Sequence, residues 1–271
     1  MDQNTVVELV KPDPAAPGEG WREGDVWLAG GTFLLSLPLP QIRRFRDLSE
    51  LGWTPVEVND AGLEIAATCK VSELMAYQPD PGWAAGPLLH DCVRAFLASF
   101  KVWNGQTVGG NICTSIPAGP MTTMACALDA DYLLISPDGS ERTVPAIDFV
   151  TGNNVNILRP GELMRKLTIS AAALNRRYAL RRFSLTKAGR SSVFLVGTRD
   201  PESGEFLLTV SAATIHPFHI RDAGVPSAAA LLDMLAEIPD DKYFDDPNGR
   251  PDHRKHMTDL FAEEIRSELA N

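Results

Sequence analysis

The sequence predicts an α+β fold, and three of its features carry that reading. A hairpin signature stands at Asn59-Asp-Ala-Gly, an amphipathic helix follows Pro87, and a late run of strands ends in two helices. Strands and helices therefore come in blocks instead of strict alternation. With 271 residues, 44% of them hydrophobic, the chain can bury a sizeable core and divides into two domains.

Residues 1 to 24 are rich in proline, glycine and acid and read as a strand-like lead followed by loop. Val26-Trp-Leu is a short strand ended by Gly30-Gly31, after which Phe33, Leu34, Leu35 and Leu37 open a helix. Val56 and Val58, then Leu63 to Thr68, form the hairpin, and Ser72 caps a short helix through Tyr77. The clearest helix follows Pro87, with Leu88, Leu89, Cys92, Val93, Phe96, Leu97 and Phe100 at spacings of three and four. The glycine-rich run Thr107 to Pro120 leads into a helix around Met121 to Leu128. Strands at Tyr132 to Ser136 and Arg142 to Val144 are joined by the turn residues Pro137-Asp-Gly-Ser.

The pattern restarts at Tyr178, with strands near Tyr178 to Leu185, Ser192 to Gly197, Glu205 to Val210 and Ala212 to His216. Helices at Ser227 to Glu237 and His253 to Leu269 close it, the second with Met257, Leu260, Phe261, Ile265 and Leu269 on one side. The boundary falls near Ala171 to Asn175, separating residues 1–171 from 172–271.

Composition excludes several functions. Lysine plus arginine number 25 against 35 acids, a net charge of −10, the wrong sign for holding a nucleic-acid backbone. Cys69, Cys92, Cys113 and Cys126 are widely spaced, so neither zinc nor an iron–sulfur cluster has a local ligand set. His216/His219 and His253/His256 lack acidic or cysteine partners, and no metal site is expected in this chain. No run approaches the roughly 20 apolar residues of a membrane span, no signal segment opens the chain, and a cytoplasmic location is expected. Hydrolase motifs are absent. Arg176-Arg177 and Arg181-Arg182 form a basic patch, read as solvated surface with subunit docking as the alternative.

Two glycine turns hold the chemistry. Successive N–H groups in such a turn can form an anion-binding nest, and Ala29-Gly-Gly-Thr-Phe and Thr107-Val-Gly-Gly-Asn are both of this type. Taken bare, each is more often only a tight turn, and neither is the G-x-G-x-x-G of a Rossmann fold.

With their surroundings the turns are more specific. Leu28-Ala-Gly-Gly-Thr resembles the first FAD loop of the molybdenum hydroxylase flavoproteins, the xanthine and carbon monoxide dehydrogenase family. Thr107-Val-Gly-Gly-Asn-Ile, Ser115-Ile-Pro-Ala-Gly and Ala127-Leu-Asp-Ala resemble the second loop and its helix. Asp148-Phe-Val-Thr-Gly, Pro160-Gly-Glu-Leu, Lys187-Ala-Gly-Arg-Ser, Asp246 and His253-Arg-Lys-His-Met follow in the family's order. Phe33, Pro120 and Asn153-Asn154 stand where the family usually has a polar residue, an aspartate and an aromatic-basic pair.

The resemblance implies a two-part FAD-binding domain of the vanillyl-alcohol-oxidase-like (PCMH) type, then a smaller α+β C-terminal domain. It implies that Ala29, Gly30, Gly31, Thr32 and Leu34 hold the pyrophosphate and neighbouring ribose. Thr107, Gly109, Gly110, Asn111, Ile112 and Thr114 would line the ribityl and flavin part, Met164 the adenine end, and Lys187 the isoalloxazine edge. No catalytic acid or base is implied. The partners implied are a small subunit with 2Fe-2S clusters and a large subunit with the molybdenum cofactor, in a heterotrimer or its dimer. The chain would pass their electrons to an acceptor that the sequence does not reveal. Rival readings are a free-standing flavin-dependent oxidoreductase and a scaffold with a degenerate FAD site.

Overall fold

The computed structural model describes residues 3–96, 98–187 and 189–271. The fold is α+β, in three sheet-based layers. The first is a parallel sheet of β1 (Glu8–Val10), β2 (Asp25–Leu28) and β3 (Arg44–Asp47), with β3 in the middle. Strand β3 was not expected, because Arg44-Phe-Arg-Asp offers a single apolar side chain. Its arginines are buried round one carboxylate: Arg44 forks onto Asp25 at 2.6 and 2.7 Å, while Arg46 only approaches it at 3.4 Å and donates mainly to the Pro17 and Glu19 carbonyls. The helix expected from Phe33 to Leu37 is only a 3-10 turn, Leu34–Ser36.

The second layer contains β4 (Val56–Asn59) and β5 (Gly62–Ala66), the expected hairpin. Then come α1 (Val71–Ala76), α2 (Gly86–Ala95), α3 (Phe100–Gly105), α4 (Val108–Thr114) and α5 (Pro120–Ala127). They are followed by β6 (Asp131–Ile135), β7 (Glu141–Pro145), α6 (Ala146–Phe149), β8 (Val150–Gly152), β9 (Val155–Asn156), β10 (Leu163–Ser170) and α7 (Ala171–Leu174). The antiparallel sheet runs β4-β5-β10-β6-β7, so the last strand made, β10, closes its centre. Helix α1 begins after Lys70, not at Ser72, since the Glu73 carboxylate accepts the Lys70 N–H at 2.7 Å.

The long helix expected after Pro87 breaks. Helix α2 ends at Ala95, the Phe96 carbonyl accepts the Trp103 indole N–H at 2.9 Å, and α3 starts afresh at Phe100, which is 72% exposed. Leu97 lies outside the described residues. The break redirects the chain so that α3 ends against the first glycine turn.

The third layer is an antiparallel sheet in chain order, β11 (Arg177–Phe183), β12 (Val193–Arg199), β13 (Phe206–Ser211) and β14 (Phe218–Asp222), with α8 (Ala228–Ala236) and α9 (Pro251–Ala270). The last strand is not at Ala212 to His216, because Ala212 has φ 61° and its carbonyl accepts the buried Arg254 guanidinium at 2.6 Å. Strand β12 is buried on both faces. Phe194 and Val196 join the core of the second layer, while Val193 and Leu195 pack with Leu231 and Ile265 of α8 and α9. Helix α5, mainly apolar and buried along its whole length, fills the space between these layers, and its Thr123 hydroxyl donates to Ser211 of β13 at 2.8 Å. On α9 the buried line is Arg254, Thr258, Ala262, Ile265 and Leu269, whereas Leu260 is exposed.

Two of the four arginines in the basic patch are paired with acids, while Arg182 donates to the Ser191 hydroxyl and the Gly189 carbonyl. Arg176 meets Asp129 and Glu205, and Arg181 meets Glu264 and Glu268. Among the described residues no helix is long and apolar enough to cross a membrane.

His219 ties the third layer to α5 through a 3.1 Å bond between Nε2 and the Cys126 carbonyl. Burial pulls its pKa from 6.5 down to about 4, with Asp129 opposing and Arg221 adding to the shift. A lowered histidine stays neutral when folded, so its full contribution is present above pH 6.5 and is lost as pH falls toward 4. Thermal unfolding between these pH values should show wild type losing up to about 3 kcal/mol that His219→Gln does not lose. Parallel curves for the two proteins would show that this histidine is not the titrating group.

Candidate functional site

Both glycine turns reach one cleft. Strand β2 delivers the first at its C-terminal end, and the second opens α4. The cleft between them encloses about 350 Å3. Its lining includes Ala29, Gly30, Gly31, Thr32 and Leu34 from the first turn, Thr107, Gly109, Gly110 and Thr114 from the second, and Met164 from β10. The Thr32 hydroxyl is 3.1 Å from the Gln106 carboxamide oxygen and links the two sides.

The turns are not equivalent. In the second, Val108 N–H donates to the Cys69 carbonyl at 2.8 Å, Gly109 N–H to Ala67 at 2.9 Å, and Gly110 N–H to the Thr107 hydroxyl at 3.0 Å. Its amides are spent on capping α4 and joining it to β5, so the expectation that both turns present an amide nest is corrected. In the first, the N–H groups of Gly30, Gly31, Thr32, Phe33 and Leu34 have no protein acceptor among the described residues. Five successive free donors beside a cleft are an anion cradle.

Glycine is required for different reasons at the two turns. A Cβ on Gly30 would stand 1.6 Å from the Gly105 carbonyl oxygen, where α3 ends, so the turn and α3 touch backbone to backbone. On Gly109 a Cβ would stand 2.4 Å from that of Ala67. On Gly110 it would meet only the Thr107 hydroxyl at 2.8 Å and, at 3.9 Å, Ala29 of the opposite turn. Gly110 thus keeps open the space between the two turns.

Three expected residues are elsewhere. Asn111, 3% exposed, accepts the Met121 N–H at 3.1 Å and braces α5. Ile112 is fully buried in the main core, on the opposite side of α4. Lys187 is exposed on the β11–β12 connection and lines neither this cleft nor the one beside it. Pro120 lines neither as well: it is buried in the first turn of α5.

Other lining residues were missed. Trp27 shares a strand face with Ala29, a relation visible from alternation along β2. Leu48, Leu158 and Leu163 add to the apolar surface. Among the described residues Glu162 is the only charged one in the lining, and its side chain is 1% exposed. Arg142 holds both carboxylate oxygens, at 2.8 and 2.7 Å, and the Arg159 N–H donates at 2.7 Å. These donors, Arg142 foremost, keep the Glu162 carboxyl below its ordinary value although burial opposes them.

A second cleft of about 490 Å3 adjoins the first, sharing Phe33 and Asn154 with it. It reaches Ile116 on one side and Arg190, Phe244, Asp246 and Asn248 of the third layer on the other. Asn154 adopts φ 57°, which asparagine tolerates, and its side chain donates to the Thr114 carbonyl at 2.7 Å.

A family model described as FAD binding domain in molybdopterin dehydrogenase matches residues 26–171, more than half of the chain. The chain belongs to this family. It is 29% identical over 150 residues to the glyceraldehyde dehydrogenase medium chain of Sulfolobus acidocaldarius, covering 52% of this chain and 50% of that one. It is 32% identical over 87 residues to the carbon monoxide dehydrogenase medium chain of Hydrogenophaga pseudoflava, covering 32% of this chain and 30% of that one. These matches span half or less of the curated relatives' length.

Among solved structures, reconstituted CO dehydrogenase from Oligotropha carboxidovorans matches with TM-score 0.81 at 20% identity, over 98% of this chain and 97% of that one. Carbon monoxide dehydrogenase from Hydrogenophaga pseudoflava matches with TM-score 0.80 at 18% identity, over 96% of each chain. At such identities the likeness is one of fold.

The residues fit the cofactor that the family binds. A diphosphate needs donors, and the first turn has five free ones. A purine ring needs apolar surface, which Leu48, Leu163 and Met164 provide. An extended dinucleotide needs more room than one cleft, and the second cleft lies next to the first across Phe33 and Asn154.

Proposed function

We propose that this FAD-binding chain is the electron-transfer subunit of a molybdenum-dependent oxidoreductase. In that role it takes electrons from the iron–sulfur clusters of a small partner and passes them to an external acceptor. The observation that carries the reading is the row of amides from Gly30 to Leu34 that have no protein acceptor among the described residues, on residues that line a cleft which the second turn lines as well. Free donors at an intact turn favour a working site over a degenerate scaffold.

In this reading the amides of Gly30 to Leu34 donate to the diphosphate, and Gly110 leaves room for it. Thr107 fixes the start of α4, while Leu48, Leu163 and Met164 receive the adenine. The second cleft, with Phe33, Asn154 and Asn248 on its walls, receives the flavin end. Bound flavin would accept electrons singly and release them in pairs. The chain's own work is to fix distance and exclude water, with no side-chain acid or base required. The division between the FAD-binding part and the C-terminal part is placed at 171/172, and a large molybdenum-cofactor subunit completes a cytoplasmic heterotrimer or its dimer.

The purified chain should carry FAD, or take it up in a calorimetric titration of the apoprotein. It should also co-purify with a cysteine-rich iron–sulfur protein and a large molybdenum protein. A colourless chain that FAD does not bind would sink the cofactor assignment. Recovery only as a free monomer from its native source would sink the subunit assignment.

A further inference from the structure

We infer that Arg46, buried behind the wall of the cleft, is a positioning charge for the cofactor's diphosphate; the inference rests on the FAD reading above. Among the described residues the first cleft has no cationic side chain in its lining, and its one carboxylate, Glu162, is paired with Arg142; Arg190 stands on the wall of the adjoining cleft, beside Asp246. The field acting on an anion at the first turn therefore depends on the amides there and on charges outside that lining.

Arg46 meets the requirement. It is 2% exposed and stands opposite Trp27 in the β2–β3 register, so both side chains lie on one face of the first sheet. Its guanidinium carbon is 5.3 Å from the centroid of the Trp27 ring, and Trp27 lines the cleft. Trp27 itself is held by its indole N–H on the Gly161 carbonyl at 3.0 Å and by Trp21, 5.1 Å away between centroids.

The charge of Arg46 is poorly compensated. Its nearest carboxylate, Asp25 at 3.4 Å, is already engaged by both hydrogen bonds of the Arg44 fork. Its remaining partners are neutral: the carbonyls of Pro17 at 3.0 Å and Glu19 at 2.6 Å. Its Nε is buried without a partner among the described residues. Glu8 adds a half-exposed carboxylate that Arg22 and Arg44 share. A buried cation in this condition is costly to the free protein, and the cost falls when an anion arrives nearby. Its field is also less screened by salt than that of a surface lysine. Five amides without a protein acceptor on the lining and a poorly compensated positive charge on the far side of Trp27 thus both favour an anion in this cleft.

The test is FAD titration of the full-length apoprotein at low salt, with thermal melting of each apo variant. Arg46→Met should weaken FAD binding about tenfold or more, while Arg46→Lys, which keeps the charge but not the fork, stays within about threefold of wild type. Glu8→Lys, which removes the half-exposed carboxylate that Arg22 and Arg44 share and leaves the hydrogen bonds of Arg46 itself in place, should tighten binding about threefold once its melting temperature shows that it is folded, and added salt should erase the gain. Equal weakening in Arg46→Met and Arg46→Lys, with equally lowered melting, would reduce Arg46 to a strap for residues 17–19. If Arg46→Met does not fold, an unchanged affinity in Glu8→Lys overturns the inference. A wild-type apoprotein that fails to bind FAD would instead strike at the function proposed above.

Discussion

Replacing Gly110 by valine is expected to leave the chain folded and to weaken FAD binding by one to two powers of ten. A side chain there enters the gap between the two turns, pushing first on the Thr107 hydroxyl and then toward Ala29. The intrinsic cost is modest: loss of the Thr107 cap on the Gly110 N–H is worth about 1 kcal/mol. The ligand suffers more. Overfilling a fitted space costs about 1–3 kcal/mol per intrusion, which is one to two powers of ten in Kd, and a branched side chain belongs at the upper end.

Gly109→Ala provides the contrast. Its Cβ would collide with the Cα of Ala67 at 2.7 Å as well as its Cβ, so α4 must shift from β5. That variant should lose thermal stability before it loses ligand. Flavin content per chain, read beside the melting temperature, separates the two. Normal flavin in Gly110→Val would mean that the cofactor does not pass between the turns.

The two turns were legible because glycine is demanded there by close backbone approach, a requirement that residue type alone reveals. The core helices were legible for a similar reason, since an apolar stripe has few other uses. What could not be read was everything that depends on pairing at a distance. Strand β3 hides behind Arg44 and Arg46, whose burial makes sense only once Asp25 is known to face them. The break after Ala95 depends on a tryptophan seven residues beyond Phe96. The buried line of α9 runs through Arg254, which is inside because the carbonyls of Ser192, Ala212 and Gly249 converge on it. The same limit applied within the site. Asn111 and Ile112 belong to the right motif, yet a seven-residue helix turns them to the core while Gly110 and Thr114 stay on the cleft side. Only the fold could show which turn has free amides, because those of the second are used by Cys69 and Ala67, some 40 residues earlier.

Arg142→Met should be the most damaging single change near the cleft that touches no ligand. In wild type Glu162 is buried but fully paired, and its lowered pKa means that it contributes stability above the unfolded value of 4.5, lost as pH falls below that. Without Arg142 the carboxylate keeps only the Arg159 N–H and a long 3.5 Å approach from Ser136. Removing one partner of a buried pair costs about 3–5 kcal/mol, because the remaining charge is left in a poor solvent. With the Arg142 bonds gone the Glu162 pKa should rise, since burial would be opposed only by Arg159, so the variant should fall furthest below wild type near neutral pH and the gap should narrow on acidification. The double variant Arg142→Met, Glu162→Gln should regain most of the stability and most of the FAD affinity, since the cleft would no longer turn a bare carboxylate toward a diphosphate. Denaturant unfolding at several pH values checks the first part and FAD titration the second. A loss in Arg142→Met that is independent of pH and not rescued by Glu162→Gln would show that Arg142 acts through its 2.9 Å bond to the Ile157 carbonyl instead.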